Sequence, residues 1–304
     1  MSKRTLAIVA CLAATTIYAI NHTIAKGVMP MHIKPFGFIM TRLLGASVLF
    51  WICSFFVPNE KIERKDWGRI LVCSLLGMSV NMLSFFKGLE LSTPINSSVL
   101  ITLVPIIVVV LSALFIKERI TLQKGLGVGL GLMGALFLIL YGAELRHDAP
   151  NIPLGNALFV LNALTFGGYL ILVKKLIEKY AIITLLKWLF TIGCIISFPI
   201  TISEFREIQW ATIPKEGIEA IVFVVVGTTF LTYLFNAYGL SKLKASTVSA
   251  FTYAQPLMGI LFAVFTGNDQ LTTVKIIGTM MVVVGLYLAT KQTEQKVKQA
   301  PTKL

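Results

Sequence analysis

Ten apolar runs, each long enough to cross a bilayer, follow one another with only short linkers between them. They cover residues of about 5–27, 35–57, 69–89, 95–116, 122–142, 153–175, 181–203, 217–239, 246–267 and 271–290. A bilayer core of ~30 Å takes ~20 apolar residues per helix. The runs show no period-two alternation, which a membrane barrel would need. Composition agrees: 56% of the 304 residues are apolar and only 13% are charged, against the ~25% usual for soluble domains. That excludes a disordered chain and an ordinary soluble domain. The expected fold class is an all-α polytopic membrane protein, with the lipid bilayer as its lateral partner. The first run follows Ser2-Lys3-Arg4 and continues past Asn21 and His22 without a convincing cleavage site, so it reads as a first helix and not a signal peptide. The net charge is +13, but the basic residues lie between apolar runs and not on one soluble face, so no nucleic-acid partner is expected. Cys11, Cys53, Cys73 and Cys194 all fall inside apolar runs with no CxxC spacing; they read as small hydrophobes, not as a metal or disulfide set.

Lysine and arginine alternate in number from one linker to the next. The N-terminus, every second linker and the tail together hold 18, whereas the opposite linkers hold 7. Basic residues favour the cytoplasmic side, so a multi-pass protein of the cell membrane is expected, with both termini cytoplasmic; in a cell with two membranes this is the inner one.

The two halves align without gaps at an offset of 151. Gly88-Leu89 meets Gly239-Leu240, Ser98 meets Ser249, and Pro105 meets Pro256. Thr121, Lys124, Gly127 and Gly134 meet Thr272, Lys275, Gly278 and Gly285. Three glycines and a mid-helix proline have specific backbone roles, so these identities weigh more than their number. The expected organisation is a first repeat over 1–146, a second over 147–292 and a basic cytoplasmic tail over 293–304. Five helices is an odd number, so the second copy enters the membrane from the opposite side. Ten transmembrane helices in a 5+5 inverted-topology repeat mark secondary transporters, which open alternately to either face.

The residue pattern resembles the EamA-type transporters of the drug/metabolite transporter superfamily over nearly the whole chain. Gly88-Leu89-Glu90, Pro105, Lys117-Glu118-Arg119 and Gly127…Gly134 are similar to that family's small-Leu-basic triplet, mid-helix proline, acidic residue and glycine-rich fifth helix. Tyr18-Ala19-Ile20-Asn21 resembles its Trp-Gly-x-Asn segment, and Phe166-Gly167-Gly168-Tyr169 reads as the second copy. Glu90 and Asn268-Asp269 depart from the pattern. The resemblance implies a protein that moves small metabolites, often outward.

Candidate residues come from polar groups at membrane depth. Pro105 and Pro256 each remove an amide donor and free the carbonyl four residues earlier, on Ile101 and Thr252. Such backbone is tolerated where it faces protein or a cavity. Ser98 and Thr102 share a helical face with Pro105, and Ser249 and Tyr253 share one with Pro256. Asn81 and Phe85, with Thr232 and Asn236, form a second pair of faces. Tyr18, Asn21 and His22, with Asn162, Phe166 and Tyr169, form a third. Such a wall is aromatic and amide-rich and suits small zwitterions; helix-bonding amides are the alternative role. Arg42 and Lys187 are the deep cations, read as gate or carboxylate-binding groups or as snorkelling side chains. His22 is the candidate proton carrier, or else a neutral bonded histidine. No Asp or Glu lies mid-helix, which argues against a proton-driven exporter of cationic drugs. Gly129…Gly134 spells GxGxxG inside an apolar helix without a preceding strand, so it is not a dinucleotide site. Gly125…Gly129 and Gly127…Gly131 have the spacing of close helix crossings. No catalytic set, metal cluster or cofactor motif is visible, so an enzyme is not expected. The sequence reads as a secondary transporter of small organic metabolites, exporting amino acids or similar zwitterions to the outside. A multidrug exporter and a non-transporting scaffold or sensor are the alternatives.

Overall fold

The structure, a computed structural model, describes residues 2–28, 32–58, 60–92, 97, 100–118, 120–141, 150–265 and 273–290. Among these residues every regular element is helical and no strand is present. The longer helical stretches among the described residues are α1 (Lys3–Val28), α2 (Pro35–Ser54), α3 (Arg64–Leu91), α4 (Leu103–Phe115), α5 (Leu122–Tyr141), α6 (Ile152–Ile177), α7 (Ile182–Arg206), α8 (Lys215–Lys242), α9 (245–265) and α10 (Thr273–Thr290). Six of them, α1, α2, α3, α6, α7 and α8, are long and apolar enough to cross a membrane, and shorter apolar helices lie in α4, α5 and α10. Phe55, Phe56, Leu114, Phe115, Met280 and Tyr287 are exposed, the surface that lipid and not water would cover.

The helix starts are held by specific groups. Pro35 opens α2, and the Glu204 carboxylate at the end of α7 accepts hydrogen bonds from the Phe36 and Gly37 amides at 2.7 and 3.1 Å. The Glu60 carboxylate, in the linker after α2, accepts from the Ala181 amide before α7 at 2.8 Å. Each satisfies a donor that the first helical turn leaves free. Asn151 caps α6 by accepting from the Leu154 amide at 3.1 Å.

The packing has a repeating logic. Helix α2 lies along α7 and α5 along α10. Helix α3 packs on α6 as α1 packs on α8, and α4 packs on α6 as α1 packs on α9. Small residues set these crossings. A Cβ on Gly127 would lie 2.6 Å from the Ala289 nitrogen, and one on Gly285 would lie 2.5 Å from the Gly131 nitrogen, so α5 and α10 meet backbone to backbone. A Cβ on Gly125 or Gly129 meets nothing; of the two glycine rows, only the Gly127…Gly131 row makes this contact.

Helices α3 and α8 are not plain α-helices. Each carries a π-helical stretch, Leu75–Val80 and Phe223–Leu231. A π turn widens the helix and releases carbonyls from the regular ladder. The Tyr233 hydroxyl of α8 donates to the Gly77 carbonyl at 2.9 Å, and the Ser79 hydroxyl donates to the Gly193 carbonyl of α7 at 3.1 Å. Gly45 of α2 lies against Val225, and Gly193 of α7 against Met78, so a glycine of α2 faces the π stretch of α8 and one of α7 faces that of α3. Helix α9 is interrupted: Ala245–Ala250 gives way to a 3-10 turn, Phe251–Tyr253, before Ala254–Phe265 resumes. Pro256 is the third residue of that last piece, and Pro105 is the third residue of α4. In the first helical turn a missing amide breaks no ladder bond.

Candidate functional site

A cavity of about 120 Å³ lies where α1, α2, α3, α4, α6, α8 and α9 converge. Its polar wall is Tyr18, Asn21, Arg42, Asn81, Asn162, Thr228, Tyr233, Thr252 and Gln255. Its apolar wall is Met82, Phe85, Phe86, Ile101, Val104 and Phe166. A second space of about 30 Å³ adjoins it through the shared residues Tyr18, Phe166, Thr252 and Gln255, and adds Asn236 and Ser249.

Much of the polar wall is fixed by hydrogen bonds between helices. Asn81 and Asn162 exchange bonds: each side-chain amide donates to the other's backbone carbonyl, at 3.1 and 2.9 Å. The Thr228 hydroxyl donates to Asn21 Oδ1 at 3.0 Å. Arg42 is 5% exposed. Its Nε donates to Thr229 Oγ1 at 2.9 Å, and that hydroxyl donates in turn to the Val224 carbonyl at 2.8 Å. The guanidinium carbon sits 5.1 Å from the Phe86 ring centre. Among the described residues no carboxylate lines the cavity.

The sequence candidates separate into groups. Tyr18, Asn21, Arg42, Asn81, Phe85, Asn162 and Phe166 line the main cavity. Asn236 and Ser249 line the smaller space. Thr102, Pro105, Thr232 and Tyr253 are buried and line neither; Pro256 is half-buried and also lines neither. Tyr169 packs under Gly77 and beside Tyr233. Lys187 does not pair with Arg42 in a common space: its Nζ sits 4.5 Å from the Trp51 ring centre and 5.6 Å from that of Trp188. Ser98 and the His22 side chain lie outside the described residues. Ile101 and Thr252, four residues before the prolines, reach the cavity, although first-turn prolines break no ladder bond there; the faces marked by Thr102 and Tyr253 do not reach it. Gln255, Thr228, Tyr233, Met82, Phe86 and Val104 are additions that the sequence reading missed. An amide at membrane depth is expensive toward lipid, and that argument, already applied to Asn81 and Asn236, reaches Gln255 as well.

A partly open chamber whose wall combines apolar side chains with several converging polar groups, set among lipid-length helices, is the kind of space that takes a small solute. It belongs to a multi-pass membrane protein, and the comparisons with known proteins say of which kind. The EamA-like transporter family matches over residues 5–140 and again over 153–291, and the chain belongs to that family. An uncharacterized transporter of Archaeoglobus fulgidus is 27% identical over 260 residues, which are 86% of this chain and 90% of that one. The uncharacterized transporter YyaM of Bacillus subtilis is 22% identical over 81% of both chains. A probable terminal-alkyne amino-acid exporter of Streptantibioticus cattleyicolor is 22% identical, covering 88% of this chain and 87% of its own. One crystal structure superposes on 94% of this chain and 97% of its own with a TM-score of 0.78 at 17% identity, a likeness of fold alone.

Proposed function

We propose that this chain is a secondary transporter that exports small organic metabolites, amino acids or similar zwitterions, across the cell membrane by alternating access. One observation carries the reading: the cavity of about 120 Å³ draws its wall from both segments that match the family, Tyr18 to Val104 on one side and Asn162 to Gln255 on the other. A site at the seam of two halves empties to either side when the halves rock. In this reading ten helices cross the membrane as a 5+5 inverted repeat, with 1–146 and 147–292 as the two units and 293–304 as a cytoplasmic tail. The support is the packing: exchanging α1–α5 for α6–α10 turns α3 on α6 into α8 on α1 and α4 on α6 into α9 on α1, and leaves α2 with α7 and α5 with α10. The cavity residues named among the candidates hold the cargo, and the chain moves it unchanged. Amino-acid cargo is favoured by the amide and aromatic wall and by the name of the Streptantibioticus relative. A cationic-drug exporter lacks a carboxylate in this wall.

The test is counterflow in proteoliposomes. Protein shown to be inserted is loaded against a set of labelled amino acids and, separately, a cationic dye. Exchange of at least one amino acid supports the reading. Movement of the dye alone, or no exchange of any amino acid, overturns it.

A further inference from the structure

We infer that the group this cavity requires of its cargo is a carboxylate, and that Arg42 binds it; the inference rests on the transporter reading and names its substrate class. Among the described residues Arg42 is the one cation in the cavity wall, and no Asp or Glu lines that wall. Its guanidinium is only partly engaged. Nε is spent on Thr229, whereas among the described residues neither Nη donates to a protein group and no carboxylate pairs with the side chain. A charge in a low-dielectric interior is costly unless paired. Here the protein supplies a ring face at Phe86 and one hydroxyl but no counter-charge.

The anchoring also fits recognition. Thr229 is itself tied to the Val224 carbonyl inside the π stretch of α8. Held at Nε, the planar fork keeps its remaining donors in a fixed geometry, the form that matches two carboxylate oxygens. Opposite polarity is absent: an ammonium group finds only neutral acceptors in this wall, so an amine is tolerated and not required. The apolar wall of Met82, Phe85, Ile101, Val104 and Phe166 takes the rest of the cargo. An apolar cavity of ~150 Å³ holds benzene, so about 120 Å³ suits a short branched body, and a ring only where it extends through the open side. Lys187, between Trp51 and Trp188, offers no equivalent site. The rival role for Arg42 is purely structural, a strut from α2 to α8.

The two roles part in a binding experiment on the full chain in lipid nanodiscs. The probes are benzoate with benzamide and benzylamine, isovalerate with isovaleramide, and phenylalanine with phenylalaninamide. For at least one pair the carboxylate should bind roughly tenfold to a hundredfold tighter than its amide, the range of charge-assisted hydrogen bonds. Arg42→Gln should bring acid and amide to within a few-fold of each other, whatever it does to the absolute affinities, and Arg42→Lys should keep part of the preference. The wild-type comparison stands even where a variant fails to fold. Equal binding of acid and amide in every pair, no carboxylate binding at all, or an undiminished preference in Arg42→Gln overturns the inference. Carboxylate binding through Arg42 without counterflow would instead sink the transporter reading and leave this site standing; amino-acid counterflow with no acid preference would do the reverse.

Discussion

Tyr253 carries a hydroxyl with no hydrogen-bond partner among the described residues, in a residue 1% exposed and packed on Gly131 of α5. A buried hydroxyl that has lost water and gained nothing destabilises by ~1–3 kcal/mol. Tyr253→Phe is therefore expected to raise the thermal midpoint and to leave transport intact, as checked by fluorescence-detected unfolding and by counterflow. Impaired transport with unchanged stability would return Tyr253 to the cargo path. The sequence places Tyr253 on the cavity face because it extends one α-helical period through Pro256. The chain instead makes a 3-10 turn at Phe251–Tyr253, which advances each residue by ~120° in place of ~100°. The face rotates accordingly, and Thr252 and Gln255 point inward where Tyr253 and Pro256 were expected. Polar residue type at membrane depth was legible for Asn21, Asn81 and Asn162. The phase of a broken helix was not, because period alone does not announce a turn of different pitch.

Glycine spacing shows the same limit one level up. Both the Gly125…Gly129 row and the Gly127…Gly131 row read as crossing surfaces in the sequence, and only contact with α10 separates them. Gly127→Ala puts a methyl onto the Ala289 backbone, which cannot yield as a side chain end would, and is expected to cost about 1–3 kcal/mol. Gly129→Ala meets open space and should be neutral or gain up to about 1 kcal/mol from helix propensity. Paired thermal midpoints check this; equal losses would place both rows at contacts. At the ends of α2 and α7 the elements are clasped by charge. Lys34 pairs with Glu207 at 2.6 Å, and Lys179 reaches Glu63 at 2.6 Å and Asp66 at 2.5 Å. Hydrogen bonds from Lys179 and then Lys65 hold the Glu63 carboxyl below its ordinary 4.5. Desolvation pulls Lys179 down, but its bonds to Asp66, Glu63 and Tyr180 outweigh this and raise it above 10.5. The carboxylate contribution is present above pH 4.5 and fades as pH falls through the depressed value; the lysine contribution is full below pH 10.5 and fades as pH rises through the raised one. Lys179→Ala should lower the thermal midpoint more at pH 7 than at pH 3, where part of the carboxylate contribution has faded. A loss of equal size at both pH values would mean that the side chain acts by packing.

For the whole molecule, the apolar runs fixed where helix forms, since each run except the partly described fourth coincides closely with a helical stretch. They did not reveal which helix lies on which. The lying-together of α2 with α7 and α5 with α10 depends on glycines and ion pairs far apart in sequence. The proposed ten crossings place residue 146 outside and residue 304 inside. Reporter fusions after Arg146 and after Leu304 should report opposite sides, and agreement between them would dismiss the map.

The π stretch of α3 has a consequence for insertions and deletions. A π turn amounts to one residue added to an α-helix, and removing it turns everything beyond by ~100°. In α3 everything beyond Val80 includes Asn81, Met82, Phe85 and Phe86, four residues of the cavity wall. Deleting Val80 alone is expected to swing all four off the cavity while changing none of them. The readout is binding of the carboxylate probes by protein that still elutes as a folded species; unaltered affinity would mean that the register of α3 is held from its far end. Relatives that share these side chains but not this extra residue would accordingly present a different chamber.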